Sequence, residues 1–153
     1  MLFYVDEFPE KLHHPKEEAY LFRRVKMRTR EADAAILKLE EQHRAGVEHV
    51  KALEMSLGKY QAGAPGGREE FMAAAERFAD EIAVHMALEE NVLIPIAKHH
   101  LLNEDWAEIA RAFGENGDPR FGAEPDHEFR ALFSRIVNLA PPPIGVGPSG
   151  TAA

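Results

Sequence analysis

His85-Met86-Ala87-Leu88-Glu89-Glu90, set beside His13-His14-Pro15-Lys16-Glu17-Glu18, decides the fold of this chain. Each stretch places a histidine four residues before a glutamate, inside a run whose apolar residues recur at helical spacing. On an α-helix, residues i and i+4 lie one above the other on one face. Each pair therefore offers an imidazole nitrogen and a carboxylate to the same point. His43 lies on another amphipathic run. Helices that turn such groups inward predict a metal site within an all-α bundle.

Working outward from these motifs, helical periodicity dominates and no stretch sustains strand-type alternation. The first helix is predicted from about Phe3 to Arg28, with Phe8, Leu12, Tyr20, Leu21 and Phe22 as its apolar members. Pro9 and Pro15 each remove a backbone donor and predict a kink or break. A second helix is expected from Thr29, its cap, with Ile36, Leu39, His43, Val47, Val50, Leu53 and Leu57 on its inner face and Gly58 as its stop. Gln61 to Gly67 reads as a flexible loop. The third helix runs from about Arg68 to His99, burying Phe71, Phe78, Ile82, His85, Glu89, Val92, Leu93 and Ile96. Asn103 or Asp105 opens a shorter helix through Trp106, Ile109 and Phe113. After a turn-rich connection a last helix is expected from about Asp126 to Leu139. Residues 1–140 read as one domain, and the Pro/Gly-rich tail 141–153 predicts disorder.

Composition narrows the function. A chain of 153 residues with 45% apolar content can bury a sizeable core. A net charge of −8 argues against nucleic acid or an anionic membrane as partner. Without cysteine there are no disulfides, iron–sulfur clusters or thiolate zinc sites, which fits a reducing cytoplasm. The N-terminus lacks a basic region and its apolar run stops after Val5, so no signal peptide is read there. No segment approaches the ~20 apolar residues of a membrane span. The expectation is an acidic cytoplasmic protein.

His43, His85 and Glu89 fall inside apolar stripes, where polar groups must find partners. A buried lone carboxylate is costly, and no lysine or arginine lies on the inner faces read for the second and third helices. A divalent cation would supply the missing charge. Imidazoles and carboxylates without sulfur suit iron, manganese or zinc, not copper(I) or calcium. Two carboxylates from different helices could bridge two metals, although the step here differs from the ferritin-like Glu-x-x-His signature. His99 and His100 read as helix C-terminal cations and His127 as exposed, while His49, six residues beyond His43, points to another face. Gly46 has two readings: a tolerated helix glycine, or a gap that leaves room for a small ligand beside the metals.

Taken together, His13-His14-Pro15-Lys16-Glu17-Glu18 with Leu21-Phe22, Gln42-His43, and His85 to Glu90 with Leu93 and Pro95 resemble the hemerythrin-like, HHE cation-binding domains. The resemblance extends to Asp105-Trp106 and Asp118-Pro119-Arg120-Phe121-Gly122. It implies an up-down helical bundle with a non-haem di-iron centre. His13 and His85 would be terminal ligands, Glu17 and Glu89 would bridge, and His43 would join His85 on the second iron. By that resemblance the given sequence would start within the family's second helix, with no histidine before His13. Either the stated start omits the first helix, or the first iron is under-ligated, or another chain completes the bundle, and His14 could replace the missing nitrogen. The further histidine of some members is here Val47. Glu18 and Glu90 read either as outer acceptors or as solvent-facing carboxylates. The implied ligand set is His13, His14, Glu17, His43, His85 and Glu89, holding two irons, with manganese or zinc as other candidates.

The function so implied is binding or sensing of a small ligand, dioxygen or nitric oxide, or storage or sensing of iron. No general acid, nucleophile or substrate pocket stands out, so a binding protein is expected before an enzyme. One alternative is a di-iron oxidoreductase acting on dioxygen or peroxide. Another is a metal-free helical interaction module in which His43 and Glu89 hydrogen-bond each other. If residue 1 is the true start, an uncovered bundle face predicts a homodimer.

Overall fold

Four helices, and no strand, make up the described residues of the computed structural model, which are 6–114 and Asn138. Helix α1 spans 6–28, α2 spans Asp33–Gln61, α3 spans 67–100 and α4 spans Asn103–Gly114. The expected helix from Asp126 to Leu139 (Asn138 apart), the motif 118–122, His127, the tail and residues 1–5 lie outside the described residues. No helix among the described residues is long and apolar enough to cross a membrane.

The two prolines of α1 do not break it. The helix alternates between π-helical Asp6–His13, α-helical His14–Lys16, π-helical Glu17–Phe22 and α-helical Arg23–Arg28. Switching between i→i+4 and i→i+5 bonding lets the chain pass Pro9 and Pro15 without a break. A third π-helical stretch, Glu89–Leu93, interrupts α3. Each of the three stretches carries a carboxylate that meets the interior histidines: Glu10, Glu17 with Glu18, and Glu89.

Helix α2 begins later and ends later than its sequence suggests. Thr29 is extended, and its hydroxyl accepts the Glu31 N–H at 3.2 Å, so it closes a turn before Asp33 instead of capping the helix. At the other end Gly58 is passed without a stop, and the reversal into α3 is made by Gly63 and Gly66 at φ 69° and 74°. These left-handed values suit glycine, which has no Cβ to clash. The inner stripe of α2 runs Ile36, Leu39, His43, Gly46, Val50 and Leu53, at alternating steps of three and four. That spacing passes through Gly46 and turns Val47, expected inside, out to 40% exposure. On α3 the π-helical turn has a similar effect: Leu93 is fully buried and Val92 is exposed.

The apolar core gathers Leu21, Phe22 and Val25 of α1, Ile36 and Leu39 of α2, Leu93 and Ala97 of α3, and Ile109 of α4. Burying each large side chain contributes roughly 1.5–3 kcal/mol. Helix α4 is pinned across α1 by charge. Asp105 is buried, accepts the Leu102 N–H at 3.0 Å and receives Arg28 at 2.9 Å. Lys16 donates to the Ala112 carbonyl at 2.7 Å near the end of α4, where a cation suits the helix dipole. Arg24 pairs with Glu108 on the same face. The core therefore closes one end of the bundle, and the histidines lie directly beyond it.

Candidate metal centre

Phe22, the last large residue of the core, stacks on His43 with ring centroids 5.6 Å apart. His14 also stacks on His43, parallel to it at 4.0 Å. His85 meets both rings, at 5.2 Å from His14 and 5.0 Å from His43. Three helices thus deliver three buried imidazoles to one place. Glu17 completes the group: a ligand-capable atom from each of His14, Glu17, His43 and His85 lies within 4.8 Å of the others.

The rings are turned in a consistent way. His43 Nδ1 is 2.9 Å from Glu18 Oε1, and His85 Nδ1 is 3.1 Å from Gln42 Oε1. With the proton on Nδ1, each ring donates outward and leaves its Nε2 lone pair for the interior. Those Nε2 atoms face carboxylates, Glu17 at 3.4 Å from His43 and Glu89 at 2.9 Å from His85. Neither contact is aligned as a hydrogen bond. Buried Glu17 Oε2, His43 Nε2 and Glu89 Oε1 all lack a hydrogen-bond partner. Buried polar atoms are nearly always satisfied, so several orphans facing one centre require an explanation.

Charge sharpens the point. Burial pushes the Glu17 carboxyl up, but His13 and His43 outweigh it and hold the group at about 2. Burial pushes the His43 imidazole down, and Glu17 and Glu18 reverse that to a net rise. Lys38 is the one lysine lining the adjacent cavity; it is 60% exposed and pairs with Glu41, so it brings no charge to the interior. A cation accepting the inward lone pairs would satisfy carboxylates and imidazoles together, and this sulfur-free donor set suits iron, manganese or zinc. The residues present therefore fit a metal.

The expected ligands do not all converge equally. His14 stands in the cluster, whereas His13 is half-buried against Phe113, with its Nε2 at 3.5 Å from Glu17. Glu89 reaches the centre only through His85. Glu18 is an outer acceptor, as one of its two readings had it, and Glu90 is exposed. His43 and Glu89 do not pair with each other; their partners are Glu17 and Glu18 for the first and His85 for the second. His49, expected to point away, lines the cavity beside the site and pairs with Glu81 at 2.5 Å. Two roles were missed. Gln42 was read only as part of the family resemblance, beside His43, and Glu10 stands four residues before His14, the same helical step read in reverse.

A cavity of about 340 Å³ opens beside the histidines, lined by Gln42, Gly46, Phe78, Ile82 and Val84 among others. The family model of the hemerythrin HHE cation binding domain matches residues 2–97. The chain belongs to this family. No curated protein and no solved structure matches it. The matched span of this HHE protein takes in all of α1 and α2 and most of α3, and so every residue of the histidine–carboxylate cluster. Helix α4 lies beyond it and serves as a clamp on α1. The HHE protein is thus a metal-binding protein of helical fold, with its buried donors drawn from three helices.

Proposed function

We propose that this HHE protein holds a dinuclear non-haem iron centre and binds or senses a small ligand, dioxygen or nitric oxide, or iron itself. The observation that carries this reading is the convergence of buried donors from His14, Glu17, His43 and His85, among which Glu17 Oε2 and His43 Nε2 have no hydrogen-bond partner. His14, His43 and His85 would supply nitrogen and Glu17 and Glu89 carboxylate oxygen, with His13 adjoining Glu17. Manganese and zinc fit the same donors. When bound, iron would supply an open coordination position for the small ligand. The chain supplies the rest. Its carboxylates would offset the metal charge, Glu18 and Gln42 hold two of the rings, and Phe78, Ile82 and Val84 give the cavity beside them an apolar side. The cysteine-free sequence supports a cytoplasmic location.

Elemental analysis of protein isolated without added metal tests the proposal. About two irons per chain, with near-ultraviolet absorption from an oxo-bridged ferric pair, is the expected result. Zinc or manganese in place of iron would overturn the iron assignment, and unchanged metal content in Glu89→Ala would remove Glu89 from the site. An oxidoreductase acting on dioxygen or peroxide at the same centre is the alternative reading of these donors. Peroxide turnover above that of free iron would decide for the enzyme.

A further inference from the structure

Glu10 is the group at this site that remains unaccounted for. Its side chain is only 3% exposed and neither carboxylate oxygen has a hydrogen bond. Oε2 lies 3.3 Å from His14 Nδ1, near enough for a proton on that nitrogen to be attracted although the bond is not aligned. A buried carboxylate without a partner is costly and calls for a reason. The other two histidines supply the pattern. His43 presents Nδ1 to Glu18 and His85 presents Nδ1 to Gln42, each with Nε2 turned inward. His14 presents its Nδ1 to Glu10 in the same way, on a third helix.

Gly46 adds a second, independent observation. A Cβ at this position would lie 3.1 Å from Glu10 Oε2 and 2.8 Å from Oε1, the latter closer than real Cβ atoms pack, so the end of the Glu10 side chain would have to shift. Gly58, on the same helix, has nothing within 4 Å of such an atom. Glycine inside a helix is destabilising relative to alanine. The helix-interior glycine and the buried carboxylate explain each other.

We propose that Glu10 is a positioning residue for His14: its carboxylate takes the Nδ1–H, the ring is held with Nε2 toward the metal centre, and Gly46 is the gap in α2 that admits it. The proposal rests on the metal-binding reading. Outer partners of this kind fix the tautomer and raise the basicity of a ligating imidazole. Gln42 already does the same for His85 with an uncharged oxygen, so glutamine is the informative replacement.

The test uses the full chain and cobalt(II), whose visible spectrum reports ligand geometry. Glu10→Ala is expected to weaken cobalt binding by about 10–100-fold and to alter the spectrum. The metal-free melting temperature should be no lower than in the native chain. Glu10→Gln is expected to recover most of the affinity. In the metal-free native chain, nitrogen-15 correlations should place the His14 proton on Nδ1. Gly46→Ala should weaken binding about as much as Glu10→Ala, and the double variant should be no weaker than Glu10→Ala alone. Gly58→Ala serves as the control and should leave cobalt affinity unchanged. Native affinity in Glu10→Ala would overturn this proposal while leaving the metal reading intact. So would additive losses, or a Glu10→Gln as weak as Glu10→Ala, which would point to direct ligation by the charged carboxylate. A native chain that binds no cobalt would overturn both.

Discussion

Glu17 and His43 show how a buried acid and base behave while they wait for a metal. Glu17 is held at about 2, below its ordinary 4.5, so its contribution to stability is full above pH 4.5 and is lost as pH falls toward 2. That contribution corresponds to about 3 kcal/mol. His43 is raised above its ordinary 6.5, so its contribution is full below pH 6.5 and disappears as pH rises through the folded value. The metal-free chain is therefore expected to be most stable between pH 4.5 and 6.5. Metal binding needs neutral imidazoles, so the loaded chain should keep its stability above pH 6.5. Denaturant titrations of both forms across this range check the point; identical pH profiles would contradict it.

At the scale of the helices, π-helical turns and pinning charges place the donors. Asp105 carries two tasks in α4, accepting the Leu102 N–H as the third-residue half of a capping box and receiving Arg28. The Arg28 guanidinium and the Leu102 N–H hold its carboxyl below the usual range. Asp105→Ala should lower stability by about 1–3 kcal/mol, because it leaves both donors without their acceptor; a change within error in urea unfolding would count against the clamp. The opposite sign is expected in α2. Gly58→Ala places a methyl group in open space within a helix and should stabilise by roughly 0.5–1 kcal/mol, read from the same unfolding curves.

For the whole molecule, the centre couples binding to folding, since its donors come from three separate helices. Ferrous iron at a hundred times its dissociation constant should add about 2.7 kcal/mol, seen as a rise in melting temperature that a chelator reverses. No response to iron or chelator would favour the metal-free reading.

Much of this protein was legible in the order of its residues. The 3.6-residue recurrence of apolar side chains specified four helices in the described span, and histidine–glutamate steps inside those stripes specified a metal-binding interior. Such patterns are local: spacing along one helix decides which groups share a face. Which of two adjacent histidines turns inward was not local. His14 joins the cluster and His13 stays at its edge because α1 changes between α- and π-helical turns around Pro15, and a switch in hydrogen bonding re-aims every side chain on it. Gly46 and Glu10 stand 36 residues apart in the chain and share one gap only because α1 lies against α2. Spacing chose the donor types; the packing of three helices chose which atoms meet, because only tertiary contact sets distances between residues remote in sequence.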